Sequence, residues 1–294
     1  MIKKIIPVIL CFFIICGCSA DSLDSQKKVK IVTSIFPIYD FVRAVGKDRI
    51  DIKLLILPGT EVHSFDPKPS DISSLYDCDC FFYIGGESDK WVDRLEVNDK
   101  SRNIALIDYV NVLNEDGEKE ADEHIWTSPK NAVIMISKIC DILCLKDVKS
   151  SNYYKHNADS YIKEINKAAQ ETKRIISGKK NKYIIVADRF PFKYMADYYD
   201  LKYSAAFSGC AISTDISIKT MLKLVADVKR QKCDYVFCTE MSNRNIANAL
   251  SSETGVKIAE LHSAHNVTLD DFKKNITYVD IMKNNADALN KGMI

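Results

Sequence analysis

The strongest constraint on the fold is the order of hydrophobic patterns along the chain. Short apolar segments typical of β-strands alternate with helical periodicity, beginning at 30–34 and ending with the strand 257–261 and a terminal helix. Strands that alternate with helices favour parallel sheets. Because one long helical stretch separates two such series, the sequence predicts an α/β fold of two lobes. Each lobe is expected to be a mainly parallel sheet with flanking helices.

The long stretch, residues 153–177, carries apolar side chains at helical spacing and is followed by Gly178, a suitable helix end. At a rise of 1.5 Å per residue this helix would be about 37 Å long, enough to cross a whole domain. We therefore predict an N-terminal lobe at 29–150, a rigid linker helix at 151–178 and a C-terminal lobe at 179–294.

The N-terminus predicts export and lipid attachment. A basic start at residues 1–4 precedes an apolar run at 5–15, then Gly17-Cys18 and polar residues. The run is too short to span a bilayer, which takes about 20 residues, and this order is typical of a signal peptide. The cysteine after a small residue resembles a bacterial lipobox. That resemblance implies a signal at 1–17, lipidated Cys18 and a tether at 18–28 outside the cell membrane. A plain secretory signal or a signal anchor is the alternative.

Composition excludes some classes of function and favours none by itself. The formal net charge of +1 gives no electrostatic basis for binding nucleic acid. Apart from the three cysteines near the N-terminus, seven remain, an odd number that cannot all pair within one chain. No CxxC spacing occurs among them, so a thiolate zinc site is not supported. We expect these cysteines to be mostly small buried apolar residues.

One histidine lies in a run that restricts the backbone. His63 follows a predicted strand and the Pro58-Gly59 turn, and it precedes two prolines, Pro67 and Pro69. Proline fixes its own φ and restricts the preceding residue. A restricted loop that holds one imidazole at a strand end suits a preorganised metal ligand.

Other candidate ligands follow predicted strands, where binding sites of open α/β sheets lie. Asp188 and Glu240 each follow one strand, and His262 and His265 follow the last. His124 ends an acidic loop at 114–123. The fifth histidine, His156, falls on the long amphipathic helix, where we expect an exposed side chain and no role in metal binding.

Five segments together resemble the cluster A-I substrate-binding proteins of bacterial ABC importers for zinc and manganese. They cover almost the whole chain after the signal: 31–37, 58–67, 122–129, 254–257 and 278–285. The resemblance implies a lipid-anchored, monomeric receptor, with the metal bound between two lobes joined by a rigid helix. It also implies that His63 and His124 are ligands.

The other two ligand positions depart from the family pattern. Counting back from Tyr194 places Arg189 at the third position, and arginine cannot ligate because it stays protonated. Asp188 could take this role after a small backbone shift. The fourth position corresponds to His262, with His265 three residues on. The expected set is therefore His63, His124 and His262, completed by Asp188 or His265, with Glu240 as a weaker candidate.

Three imidazoles and one carboxylate suit Zn²⁺, whereas more oxygen ligands would suit Mn²⁺. We therefore expect a zinc receptor that delivers metal to an ABC permease and its ATPase. Two alternatives are a zinc-dependent hydrolase and a manganese receptor or adhesin-type surface lipoprotein. The sequence lacks H-E-x-x-H, a Gly-x-Ser-x-Gly elbow and a phosphate-binding loop, which argues against an enzyme.

Overall fold

A computed structural model describes residues 28–60, 62, 65–95, 100–114, 120–209 and 216–293. It contains two four-stranded parallel sheets. The first has the order β2-β1-β3-β4, with β1 Val29–Thr33, β2 Ile50–Leu54, β3 Cys80–Tyr83 and β4 Asn103–Ala105. The second has the order β6-β5-β7-β8, with β5 Tyr183–Val186, β6 Lys202–Ala205, β7 Tyr235–Cys238 and β8 Lys257–Glu260. The predicted two-lobed α/β fold is thus confirmed.

Helices connect and cover the strands. In chain order they are α1 Phe36–Gly46, α2 Pro69–Asp77, α3 Pro129–Lys146, α4 Ser151–Ser177, α5 Lys193–Tyr199, α6 Ile218–Gln231, α7 Asn245–Thr254, α8 Leu269–Lys273 and α9 Tyr278–Gly292. Proline lies in the first turn of α1, α2 and α3, where its missing N–H costs nothing. Thr277 and Asp280 form a capping box that starts α9. Among the described residues, no helix is both long and apolar enough to cross a membrane.

Helix α4 joins the two hydrophobic cores. Its buried side chains from Tyr154 to Ala169 belong to the core of the first sheet, whereas Ile176 in its last turn belongs to a core of the second. The first core also takes residues from the C-terminal part of the chain, including Ala264, Val267 and Tyr278. The first hydrophobic core is therefore built from residues of both parts of the chain, which the order of the elements in the sequence does not indicate.

Asp40 on α1 connects three helices inside this shared packing. It is 1% exposed, and its carboxylate accepts hydrogen bonds from the Tyr161 hydroxyl on α4 and from Tyr278 N on α9. Arg43 Nη2 donates to it at 2.5 Å. Burial raises the pKa of Asp40 above its ordinary value, against the opposing effect of the Arg43 charge. This one carboxylate thus fixes α1, α4 and α9 to each other.

The six described cysteines are free thiols: Cys78, Cys80, Cys140, Cys144, Cys233 and Cys238. Burial raises the pKa of Cys80 and that of Cys140 to about 12. Both thiols are therefore protonated near neutral pH and suit the apolar packing expected of them rather than metal binding. The Cys140 and Cys144 sulfurs, one helical turn apart on α3, lie 4.0 Å from each other.

Asp89 provides a test of stability against pH. Its side chain accepts hydrogen bonds from Ile84 N and Gly85 N just after β3, and burial raises its pKa to about 6. Because this pKa lies above the ordinary aspartate pKa of 3.8, the folded state binds the proton more tightly than the unfolded state. The free energy of unfolding should therefore fall as pH rises from about 4 to above 6, by up to about 3 kcal/mol.

Asp89→Asn keeps an acceptor for both amides and removes the titrating group. Urea unfolding at several pH values between 4 and 8, with a chelator present, should give a flatter profile for this variant than for the parent. Asp93→Asn, an exposed change in the same segment, is the matched control and should follow the parent. If the unfolding free energy of Asp89→Asn depended on pH as steeply as that of the parent, Asp89 would not be the group responsible.

Candidate metal centre

A cleft of about 440 Å³ lies between the lobes, at the carboxyl ends of strands from both sheets. Its described lining includes most of the candidate ligands predicted from the sequence, namely His124, Asp188, Glu240 and His265. Gly59, Thr60 and Val62 of the loop after β2 also line it. His63 itself lies outside the described residues, as does Cys18. Of the residues around His63 in the chain, the structure describes Thr60 and Val62 at the lining of this cleft.

His124 is held with a defined orientation at the end of the acidic loop. The side chain is 1% exposed, and its Nδ1 lies 3.1 Å from Asp122 Oδ1. The same oxygen accepts the His124 backbone N–H at 2.8 Å. Gly209 approaches the ring so closely that an added Cβ would lie 3.0 Å from Cε1 and 3.1 Å from Nδ1. A histidine whose Nδ1 donates to a carboxylate is oriented to bind a metal through Nε2, which is the usual arrangement of metal-binding histidines.

His265 is the histidine that the structure brings next to His124. The two imidazoles meet edge to face, with ring centroids 5.2 Å apart. The indole ring of Trp126 lies 4.9 Å from the His265 ring and 5.3 Å from the His124 ring. Trp126 Nε1 in turn donates to Ser263 O at 2.8 Å. The indole therefore packs against both imidazoles and is tied to the loop that carries His265.

His262 lines a different cavity. That smaller space of about 30 Å³ has a mostly apolar lining, which includes Phe192, Met195 and Leu289. His262 Nδ1 accepts the backbone N–H of Ala264 at 2.9 Å, and Asn285 bonds both the His262 amide and its carbonyl. Ala264 has a φ of +62°, so the chain turns sharply here. This turn separates His262 from His265. His262 does not line the cleft, although its Nδ1 lies 3.7 Å from Oε2 of Glu240, which does.

The two carboxylates of the cleft are each held by protein donors. Asp188 accepts Arg189 N at 2.8 Å and the Thr239 hydroxyl at 3.0 Å through its two oxygens. Glu240 accepts Ser263 N at 2.7 Å and the Ser263 hydroxyl at 2.5 Å. Glu240 therefore supports the loop that carries His265, whereas Asp188 extends from the end of β5 towards the cleft. Arg189, next along the chain, also lines it.

Asn266 connects the two loops that meet at the cleft. It is 2% exposed, and its Nδ2 donates to Leu57 O at 3.1 Å and to Thr60 O at 2.8 Å. Gly59 N donates to Val267 O at 2.9 Å beside it. The sequence pattern did not indicate this role, because an asparagine after a histidine in a polar loop has no distinctive spacing. The contacts that Asp122 and Gly209 make with His124 were not predicted either, because no spacing in the sequence indicates them.

Among the described residues, no three or more His, Cys, Asp or Glu side chains form a group that could hold a metal ion. The pair of imidazoles therefore needs further donors to hold a metal ion. His156 is exposed on α4, as expected, and takes no part in the cleft.

Comparisons with known proteins agree with this architecture. Residues 31–292 match the family described as ZnuA, zinc-uptake complex component A, periplasmic. The chain is 27% identical to the high-affinity zinc uptake system protein ZnuA of Bacillus subtilis, with 100% of this chain and 99% of that protein covered. It is 28% identical to the zinc-binding lipoprotein AdcA of Streptococcus pneumoniae over 95% of its length, but spans only 58% of AdcA.

Similarity extends to solved structures. The Zn(II)-bound ZnuA-like domain of Streptococcus pneumoniae AdcA superposes with a TM-score of 0.78 at 29% identity, with 90% of this chain and 99% of that one covered.

Proposed function

The chain belongs to the zinc-uptake complex component A family, and from this premise we propose that it captures zinc outside the cytoplasmic membrane and delivers it to an ABC importer. The family resemblance inferred from the sequence motifs is confirmed. Members of this family are substrate-binding receptors of transporters, so the chain is a receptor and not an enzyme. The alternative of a zinc-dependent hydrolase is thereby set aside.

The observation that carries the zinc proposal is the pair of imidazoles at the cleft. Two imidazoles bound to one tetrahedral zinc at about 2.0–2.1 Å have ring centroids about 5 Å apart. The His124 and His265 rings are 5.2 Å apart. The Asp122 carboxylate on the other nitrogen of His124 supplies the outer partner that metal-binding histidines usually have. This pairing orients the ring before any ion arrives.

We propose His63, His124 and His265 as the three imidazole ligands, with Asp188 completing the set. His265 takes the place that the sequence assigned to His262, since His265 shares the cleft with His124. Asp188 is preferred to Glu240 because Glu240 holds the Ser263 amide and hydroxyl on the loop that carries His265, so its withdrawal towards a metal would release that loop. Three imidazoles and one carboxylate favour Zn²⁺, and Mn²⁺ remains the alternative cargo.

The cellular setting is proposed from the N-terminal sequence. A signal at 1–17, lipidated Cys18 and a tether at 18–28 would hold the receptor on the outer face of the membrane, next to the permease and its ATPase. Residues 1–27 lie outside the described residues, so these assignments rest on sequence alone. We further propose that the receptor acts as a monomer and that 29–150, 151–178 and 179–294 are its lobes and linker.

Purified residues 19–294, made without the anchor, should bind about one zinc per chain, because the proposed ligands form one tetrahedral site. Elemental analysis before and after chelator treatment, followed by reloading with zinc and manganese mixed in equal amounts, measures both stoichiometry and preference. Zinc should predominate in the reloaded protein. If the chelated protein regains neither metal, the proposed receptor function is wrong.

A further inference from the structure

Two large apolar side chains are exposed together at one end of the lobe that contains the first sheet. Leu145, in the last turn of α3, is 78% exposed, and Val148, in the short turn between α3 and α4, is 75% exposed. Lys146 and Lys149, next to them in the chain, are exposed as well. Apolar side chains accompanied by lysines are typical of surfaces that contact a membrane interface. We call the surface formed by these four residues the end face.

The end face lies near the amino ends of β1 and β2. These strands pair in parallel from Val29 and Ile50 onward, so Lys28 and Arg49 are neighbours just before them. The Arg49 guanidinium lies 5.7 Å from the ring centroid of Tyr153, in the first turn of α4. Because the turn that carries the end face leads directly into α4, the end face and the start of β1 lie at the same end of the lobe. The cleft lies at the carboxyl ends of the strands, and thus at the opposite end.

The N-terminal segment joins the described part of the chain at this same end. Lys28 is the first described residue, and residues 19–28 connect it to Cys18. Even when fully extended, ten residues span at most about 35 Å. A lipid on Cys18 would therefore keep the amino ends of the strands close to the bilayer. Over so short a link even a weak contact is favoured, because the local concentration of the linked partner is in the millimolar range.

Charge at this end of the lobe favours an anionic surface. Lys28 and Lys47 are exposed there in addition to the two lysines of the end face. The carboxylates of Asp48, Asp51 and Asp147 lie at the same end and offset part of this charge. The lysines of the end face adjoin the apolar pair, so they would meet the headgroups together with it. Each lysine close to a bilayer adds to the attraction by anionic lipids.

We propose that the end face is a membrane-contact surface, which rests on an anionic phospholipid bilayer with Leu145 and Val148 inserted among the headgroups. The lysines of the end face would bind the phosphates of those headgroups. The cleft would then lie away from the bilayer, on the side from which metal arrives. This inference rests on the proposed export and lipid attachment, and it adds to them how the receptor lies on the membrane.

Binding of residues 19–294 to vesicles tests this contact without the lipid anchor. Both hydrophobic cores are built from residues within this range. The protein is mixed with vesicles of phosphatidylcholine, alone or with an equal amount of phosphatidylglycerol, at millimolar lipid, and the vesicles are sedimented. Binding to the anionic vesicles should be at least about tenfold stronger than to the neutral ones, and it should weaken as salt is added.

Leu145→Ser combined with Val148→Ser should weaken binding to the anionic vesicles by at least about fivefold, because the inserted apolar side chains are lost. Lys146→Gln combined with Lys149→Gln should weaken it by a similar factor and reduce its dependence on salt. All four changes affect exposed side chains, so both variants should fold and bind zinc like the parent.

Ile218→Ser combined with Leu222→Ser is the matched control. These side chains are 81% and 64% exposed on α6, beside the second sheet, and this variant should bind vesicles like the parent. Two results would overturn the inference: a parent that binds anionic vesicles no better than neutral ones, or a loss of binding in the control as large as in the end-face variants. Failure of the proposed function would instead appear as absent zinc uptake, or as membrane-extracted protein without lipid on Cys18, and neither affects the vesicle assay.

Discussion

Alanine at His124 or at His265 is expected to weaken zinc binding by at least about tenfold, whereas His262→Ala should retain the affinity of the parent. Each of the first two changes removes an imidazole from the cleft and leaves zinc one donor short. His262 lines a separate apolar cavity, and its Nδ1 already accepts a backbone N–H. The three variants therefore show whether the ligand after β8 is His265, as the structure indicates, or His262, as the sequence alone predicted.

Competition titration against a chromophoric chelator measures these affinities. His63→Ala serves as a further test of the proposed set and should lose affinity to a similar degree. His156→Ala changes an exposed imidazole on α4 and is the control for loss of a histidine in general. If His262→Ala bound zinc weakly and His265→Ala bound it like the parent, the ligand would be His262 and not His265.

Periodicity and turn residues in the sequence predicted most of the architecture. The first predicted strand, at 30–34, corresponds to β1 at Val29–Thr33. Helix α4 starts two residues before the predicted helical stretch at 153–177 and ends with it at Ser177. Because these elements are long or strongly apolar, the local hydrophobic pattern is enough to predict their positions. The short helix α8 was not predicted, because it has no buried residue and thus no apolar period.

The arrangement of the candidate site was harder to infer. Strand ends identified Asp188, Glu240, His262 and His265 as candidates, and all of them lie at or near the interface between the lobes. Spacing could not decide between His262 and His265, since the decision depends on the left-handed turn at Ala264. Alanine rarely adopts a positive φ, so nothing in the sequence indicates that turn. The local hydrophobic pattern likewise did not predict that Val267 and Tyr278 pack into the first core.

Asn266→Ala is expected to lower both stability and zinc affinity, because Asn266 couples the loop of His265 to the loop that follows β2. Asn266→Ala would leave Leu57 O and Thr60 O without their side-chain donor and Val267 N without its acceptor. Each buried group left unsatisfied costs about 1–3 kcal/mol. Partial relaxation and access of water should limit the total loss of unfolding free energy to about 4 kcal/mol.

Zinc affinity should fall by at least about tenfold in the same variant, since ligands on separate loops bind tightly only when their supporting contacts hold them in register. Asn285→Ala is the matched control. Asn285 also bonds backbone groups of the loop after β8, but among the described residues its hydrogen bonds are to His262 and not to Leu57 or Thr60. It should lose stability and keep zinc affinity. Chelator competition measures the zinc affinity of both variants, and urea unfolding measures their stability. If Asn266→Ala lost stability as Asn285→Ala does while binding zinc like the parent, the link between the loops would have no part in holding the metal.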